Sequence, residues 1–215
     1  MNRIVVASLA ALMVSVCTIA GSGQSTSAQG SLDARVAAFL AEHRYGWRDM
    51  NVPESDGQLL HDLIVKHGYK RALEIGTSTG RSGIWIALAL SKTGGKLITI
   101  DIDADRHAEA VRNFTQSGVA PFIDARLADA HDLVPKLEGP FDFVFIDADK
   151  DWYTEYAKAV LPKLTIGGCL TAHNVYPGRG RRGGMTGDYH SYVTGLPSLE
   201  TTVTQGGVAI SFKRR

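Results

Sequence analysis

The sequence predicts an α/β protein built on a mostly parallel sheet that closes with a C-terminal antiparallel pair. Three observations lead there. Short β-branched runs alternate with segments of helical period along most of the chain, and the last third switches to two short runs around Gly206-Gly207. The 215 residues are 44% hydrophobic and 21% charged, enough apolar material for a sizeable core without disulfides or structural metal. Strand–helix–strand repetition makes successive strands parallel, with right-handed crossovers. No internal repeat or low-complexity block interrupts the pattern.

Residues 1–28 read as a signal peptide rather than as part of the fold. Asn2-Arg3 precede an uncharged stretch from Ile4 to Ala20, and Thr26-Ser27-Ala28 supplies small residues for a cut after Ala28. The domain is then 29–215, exported to a periplasm or secreted, with no membrane association after cleavage. The alternative is an uncleaved anchor through residues 4–20, at the short end of what spans ~30 Å of hydrocarbon. Cys17 leaves with the leader, and Cys169 alone forms no intramolecular disulfide. The formal charge of +1 excludes the basic footprint of a nucleic-acid binder and leaves small molecules as the expected partners.

Ser31 to His43 is expected as an amphipathic helix with Leu32, Val36, Phe39 and Leu40 on one side. Pro53 opens a second, with Leu59, Leu60, Leu63 and Ile64 inside and Gly68 after its end. Strands are expected at Arg71 to Ile75, Lys96 to Asp101, Phe122 to Leu127, Phe141 to Asp147 and Gly168 to Asn174. Leu199 to Thr204 and Val208 to Lys213 would form the antiparallel pair. Open α/β sheets bind ligands beyond the carboxyl ends of their strands, so those ends are where chemistry belongs.

The first strand runs into Glu74-Ile75-Gly76-Thr77-Ser78-Thr79-Gly80-Arg81-Ser82-Gly83. Glycines in such a turn let backbone approach a ligand. Gly76 and Gly80 are four apart, which is not the dinucleotide spacing, and a carboxylate at Glu74 suits a cationic ligand better than a pyrophosphate. The second strand ends in Asp101, placed to accept both hydroxyls of a ribose. A nucleoside bearing positive charge is S-adenosylmethionine. Taken singly, Glu74 is equally a capping or salt-bridged carboxylate, and Asp101 a helix N-cap.

The fourth strand leads to Asp147-Ala148-Asp149-Lys150 and the fifth to His173-Asn174. Asp147, His173 and Asn174 could present a carboxylate, an imidazole and an amide oxygen to a divalent cation, with Lys150 close enough to become a proton acceptor. The competing reading is a structural Asp147–Lys150 ion pair beside a hydrogen-bonded histidine. Trp47, Trp152, Tyr153 and Tyr176 could wall an acceptor pocket or simply pack in the core.

Four ordered motifs carry a family resemblance: Met50-Asn51-Val52 through Gly57-Gln58-Leu59-Leu60, Glu74 to Ser82, Phe145 to Lys150, and Gly167-Gly168 leading to Asn174-Val175. Over residues 32 to 213 the chain resembles the caffeoyl-CoA and catechol O-methyltransferases. The resemblance implies a Rossmann-like class I methyltransferase fold with a seven-stranded sheet and S-adenosylmethionine as methyl donor. It puts Val52, Glu74, Gly76, Thr77, Ser82, Asp101, Ala130 and Asp147 at the cofactor, and Asp147, His173 and Asn174 at the metal. The metal would be magnesium, calcium, manganese or zinc. Lys150 takes the place of the family's catalytic lysine, with Asp147 beside it. A phenolic or catechol-like hydroxyl is the implied acceptor, and a homodimer is one expected assembly.

Two departures stand out. His173 occupies a position where the family has an aspartate, which trades a hard oxygen for an imidazole. Arg179 to Gly184 replaces an apolar substrate loop with guanidinium groups able to clamp an anion or merely solvate a loop. Loss of the metal aspartate and the leader together motivate an alternative, an exported non-catalytic binding or scaffold protein. A nucleotide-dependent oxidoreductase is a weaker third reading, disfavoured by Glu74.

Overall fold

The computed structural model describes residues 22–47, 50–176 and 186–215. The anchor segment 4–20, Cys17 and the arginine loop Arg179–Gly184 lie outside the described residues. The first helix, α1 (Ser22–Glu42), runs across the expected Ala28–Gln29 junction. Among the described residues no helix is long and apolar enough to cross a membrane.

After α1 come α2 (Glu54–His67), β1 (Arg71–Ile75), α3 (Arg81–Thr93), β2 (Lys96–Asp101), α4 (Ala104–Ser117), β3 (Ile123–Leu127), α5 (Ala130–Leu133), β4 (Phe141–Ile146), α6 (Tyr153–Val160), β5 (Leu164–Ala172), α7 (Gly187–Gly195), β6 (Leu199–Val203) and β7 (Ala209–Lys213). Local chemistry sets the ends. α2 starts behind Pro53 and stops at Gly68, whose φ of 67° is the left-handed cap that glycine adopts without strain. Asp103 caps α4, its side chain accepting from the amides of Asp105 and Arg106.

The seven strands lie in the order β3-β2-β1-β4-β5-β7-β6. All neighbours are parallel up to β5, and β7 pairs antiparallel with both β5 and β6. The chain winds outward from β1 to β3, returns to β4 beside β1, and then winds the other way. That reversal opens a crevice at the carboxyl ends of β1 and β4.

Side-chain alternation divides the core. Leu73, Ile75, Val144 and Ile146 join Tyr153, Val160, Tyr189 and Val193 of α6 and α7 on one face. Ala72, Phe143 and Phe145 join Leu60, Ile64, Ile86 and Leu90 of α2 and α3 on the other. A third cluster joins Val36 and Phe39 of α1 to Ile84 and Leu88 of α3 and Phe114 of α4. Gly57 lets α2 approach α3, because a Cβ there would meet the Trp85 ring at 2.2 Å.

Several expected boundaries move: α1 starts nine residues early at Ser22 and ends one early at Glu42, and the end of β4, the end of β6 and the start of β7 each shift by one residue. β3 begins at Ile123 because Phe122 closes a short 3₁₀ turn that contains Pro121. β5 begins at Leu164, four residues early: Gly167 at φ 82° is absorbed inside the strand, and the β4–β5 register shifts there. β5 also stops at Ala172, so His173 and Asn174 lie just past the strand.

Candidate functional site

A cavity of about 470 Å³ opens at the carboxyl ends of β1, β2 and β4, a size that suits a small-molecule ligand. Gly76, Ser78, Asp101, Ala130, His131 and Asp147 line it, with Met50, Arg106 and Tyr156 among others, and Asp103, Asp129 and Asp149 add carboxylates. The non-glycine residues with positive φ among the described residues are Met50, Ser78 and Asn174. Two of these line the cavity and the third follows His173, the placement expected of backbone strain held at a functional site.

Four of the expected cofactor residues, Gly76, Asp101, Ala130 and Asp147, line this cavity. Asp101 stands at the end of β2 with its carboxylate fixed by backbone. Oδ2 accepts from the Ser78 amide at 2.7 Å and Oδ1 from the Asp103 amide at 2.9 Å. Gly76 has φ 101°, and a Cβ on it would lie 2.4 Å from the Asp147 carbonyl oxygen. Glycine there allows the ends of β1 and β4 to close up, and the Asp147 amide donates to the Ile75 carbonyl at 2.8 Å.

Val52, Glu74, Thr77 and Ser82 are buried behind the wall instead. The Val52 carbonyl accepts from Arg81, and the Thr77 and Thr99 hydroxyls pair. Glu74 is fully buried; its Oε2 accepts from the Thr99 hydroxyl at 2.6 Å, while Oε1 has no hydrogen-bond partner. Burial pushes its carboxyl up to about 7, against hydrogen bonds from Ser82 and Thr99 that favour the ionised form. The expected contact between Glu74 and a ligand is therefore a support role at one remove. The side chain sits under β1 and braces β2 through Thr99.

Beyond the cavity wall, Lys150 Nζ donates to Asp147 Oδ1 and to the Tyr153 hydroxyl, both at 2.8 Å. The Tyr153 hydroxyl lies 3.3 Å from the same Oδ1. Burial first, then the Asp147 charge, drives the Tyr153 hydroxyl far above its ordinary pKa, so it stays protonated. The other carboxylate oxygen, Asp147 Oδ2, faces His173 Nδ1 at 3.1 Å. His173 Nε2 in turn meets Asp56 Oδ2 at 3.0 Å, with both side chains about nine-tenths buried. Burial opposes charge on His173, yet hydrogen bonds and charge from Asp147 and then Asp56 outweigh it and raise the imidazole's pKa. Burial likewise works against ionised Asp147, but His173 and Lys150 hold its carboxyl below the ordinary range.

This arrangement changes the expected metal set. Asp147 and His173 do meet, but they meet each other. A metal ligand must offer a lone pair, and each nitrogen of His173 already faces a carboxylate oxygen, which has no proton to give. Asn174 follows in a left-handed conformation, its carbonyl accepting from the Thr186 hydroxyl. Among the described residues no group of three His, Cys, Asp or Glu side chains is arranged to hold a metal ion. The residues present do not fit a divalent cation.

The four aromatic candidates scatter. Trp47 packs against Phe39 and under Arg81, and Tyr153 is fully buried. Trp152 stacks on His131 with centroids 3.9 Å apart at the cavity, and Tyr176 lies against Gly207. Sequence reasoning missed Asp56 and His131. Asp56 reads as an ordinary acidic residue in the first turn of α2, and only the fold brings it to His173, 117 residues later. His131 follows the cap Asp129 and has no local pattern that marks it.

A seven-stranded sheet of this order, with a carboxylate-lined crevice at its switch point, defines the class I methyltransferase architecture. The chain belongs to the O-methyltransferase family, whose model matches residues 24–179. It is 37% identical over 147 residues to a catechol O-methyltransferase of Niastella koreensis, a match covering 66% of each chain. It is 33% identical over 136 residues to caffeoyl-CoA O-methyltransferase 1 of Eucalyptus globulus, covering 61% of this chain and 55% of that one. The matches thus span between about half and two-thirds of these relatives' lengths. Among solved structures, the O-methyltransferase TomG from Streptomyces achromogenes in complex with SAM superposes with a TM-score of 0.70. That match has 26% identity and covers 88% of this chain and 96% of that one.

Proposed function

We propose that this protein transfers a methyl group from S-adenosylmethionine to a hydroxyl of a small phenolic or catechol-like acceptor. One observation carries the reading: a cavity walled by several carboxylates, in which Asp101 is pinned by two backbone amides at the end of β2. Pinned in this way, the carboxylate keeps acceptor lone pairs for a vicinal diol, and the surrounding negative field favours a cation. Family membership and the SAM-bound TomG neighbour support the same assignment.

When bound, S-adenosylmethionine supplies a methyl group on a sulfonium with a good leaving group. Asp101 would hold the ribose hydroxyls, Gly76 and Ala130 would admit the nucleoside, and Asp147 would face its cationic end. The family's catechol O-methyltransferases support the acceptor class. Phenols titrate near ~10, so the acceptor hydroxyl needs activation at neutral pH. Lys150, held by Asp147 and Tyr153, is the amine to take the acceptor's proton when neutral and to hold the oxyanion through an N–H when charged. Alignment of the acceptor in the crevice contributes several kcal/mol of prepaid entropy, about 7–11 kcal/mol at the upper end. Residues 1–28 serve as an export leader in this reading, supported by the charged tip, apolar run and small-residue exit.

Calorimetric titration of the purified protein with S-adenosylmethionine tests the reading. Saturable binding at one site, followed by methyl transfer to catechol detected by mass, is expected. Failure of the folded protein to bind S-adenosylmethionine would overturn it.

A further inference from the structure

The position where the family resemblance places a metal aspartate holds His173, and the structure shows what surrounds it. Its backbone amide donates to the Ile146 carbonyl, which fixes it where β4 and β5 end. One ring nitrogen faces Asp147 Oδ2 at 3.1 Å and the other faces Asp56 Oδ2 at 3.0 Å. Two ionised carboxylates accept hydrogen bonds and donate none, so both contacts are satisfied together only when each nitrogen carries a hydrogen. A ring in that state is an imidazolium, with a full positive charge spread between two acids. We propose that His173, clasped by Asp56 and Asp147, is a built-in cation that takes the place of a divalent metal, so that the reaction proposed above proceeds without one.

Charge balance supports the assignment. Asp56 and Asp147 bring two negative charges into a largely buried region; His173 brings one positive charge between them, and Lys150 adds a second whenever it carries the proton. Nearly buried ions persist only when paired, and here every carboxylate has a cation in contact. An aspartate at position 173 would leave three carboxylates against the single Lys150, a deficit that a divalent cation meets. His173 thus removes both the need for a metal and the lone pair that would bind it.

Asp56 is a positioning residue in this scheme. It stands in the first turn of α2, its Oδ1 accepts from the Ser55 hydroxyl at 3.2 Å, and Gly206 of the β6–β7 turn packs against it. A Cβ at Gly206 would lie 3.2 Å from that Oδ1, so the hairpin closes down on the carboxylate. Through His173, Asp56 fixes Asp147 Oδ2 and leaves Oδ1 to Lys150 and Tyr153.

The inference rests on the methyl-transfer reading, and its test separates the two. Manganese binding by the full chain is read from the electron paramagnetic resonance of free Mn²⁺, which needs no turnover. Methyl transfer to catechol is assayed with chelator or with added Mg²⁺, and S-adenosylmethionine affinity is measured by calorimetry. The parent protein should leave the free Mn²⁺ signal unchanged, and chelator should alter its rate less than twofold. His173→Asp should take up one equivalent of Mn²⁺ and lose at least tenfold in rate on addition of chelator. Asp56→Asn should lower kcat at least fivefold with the KM for S-adenosylmethionine unchanged, and Asp56→Glu should recover part of it. One equivalent of Mn²⁺ bound by the parent, with activity abolished by chelator, would overturn the inference. If His173→Asp does not fold, the parent's Mn²⁺ signal alone decides. Loss of S-adenosylmethionine binding in the parent would instead overturn the methyl-transfer reading and leave the Mn²⁺ result standing.

Discussion

Asp101 and Glu74 show how two carboxylates on neighbouring strands acquire different roles from their surroundings. Asp101 is held by the Ser78 and Asp103 amides at the cavity edge, so Asp101→Ala removes an ionised acceptor without opening the core. A hydrogen bond to a charged group is worth about 1.5–3 kcal/mol, so S-adenosylmethionine affinity should weaken by roughly 10- to 150-fold. Calorimetry on the folded variant checks this; unchanged affinity would remove Asp101 from the ribose site. Glu74 instead carries a carboxyl raised to about 7 by burial, with the Asp147 and Asp101 charges adding to the rise. A carboxyl whose folded pKa is raised stabilises the fold while it stays protonated. That contribution is complete below the unfolded value of 4.5 and is lost as pH climbs through about 7. Glu74→Gln should therefore flatten the pH dependence between pH 5 and 8, with a difference of up to about 3 kcal/mol. Denaturant unfolding at several pH values measures it, and parallel profiles for parent and variant would refute the assignment.

At the level of elements, α1 bears on what a cut after Ala28 would do to the fold. Val36 and Phe39 are buried against α3 and α4, Asp33 pairs with Lys92 at 3.2 Å, and Arg35 donates to the Thr115 and Gln116 carbonyls at the end of α4. A cation on those last carbonyls also complements the helix dipole. All of these residues lie beyond Ala28, so a cut there would keep these contacts. Phe39→Ala should destabilise the mature protein by about 3–5 kcal/mol, as for other buried phenylalanines. Chemical denaturation reads the loss, and a change under 1 kcal/mol would mean that α1 is not an integral part of the domain. Element boundaries were legible in the sequence where a stop residue stood at the end, as with Gly68 after α2. They were not legible where a glycine was absorbed: Gly167 reads as a break and keeps a left-handed φ, yet β5 pairs with β4 on both sides of it, at Leu164 and from Cys169 onward, so the strand resumes after an irregularity.

At the scale of the whole molecule, the expectation concerns the protein's address. The mature chain should begin at Gln29 and be recovered outside the cytoplasmic membrane of the producing cell, because Asn2-Arg3, the apolar run to Ala20 and the exit at Ala28 act together. Mass spectrometry of fractionated cells gives the N-terminus directly. An intact Met1 on cytosolic protein would refute export. Such a cut would also remove Arg3 and bring the formal charge to zero, which would leave the acidic cavity, rather than any net charge, to attract a cation.

The sequence by itself determined the α/β class, the seven strands and their mostly parallel sense, and the strand ends that carry Gly76, Asp101, Asp147 and Lys150. Each of these follows from periodicity, stop residues and motif spacing, which are local along the chain. Tertiary structure alone decided which side chains face the ligand and which brace it. Thr99 and Ser82 come from β2 and α3 to hydrogen-bond Glu74 behind the wall, while Asp101 is turned out to the cavity. It also decided the fate of His173. A histidine beside Asn174 reads as a metal ligand until α2 delivers Asp56 to its second nitrogen. That contact joins residues 117 positions apart in the chain, and periodicity is silent about pairs so distant. Only the fold, by setting the first turn of α2 beside the end of β5, turns a candidate ligand into a buried cation.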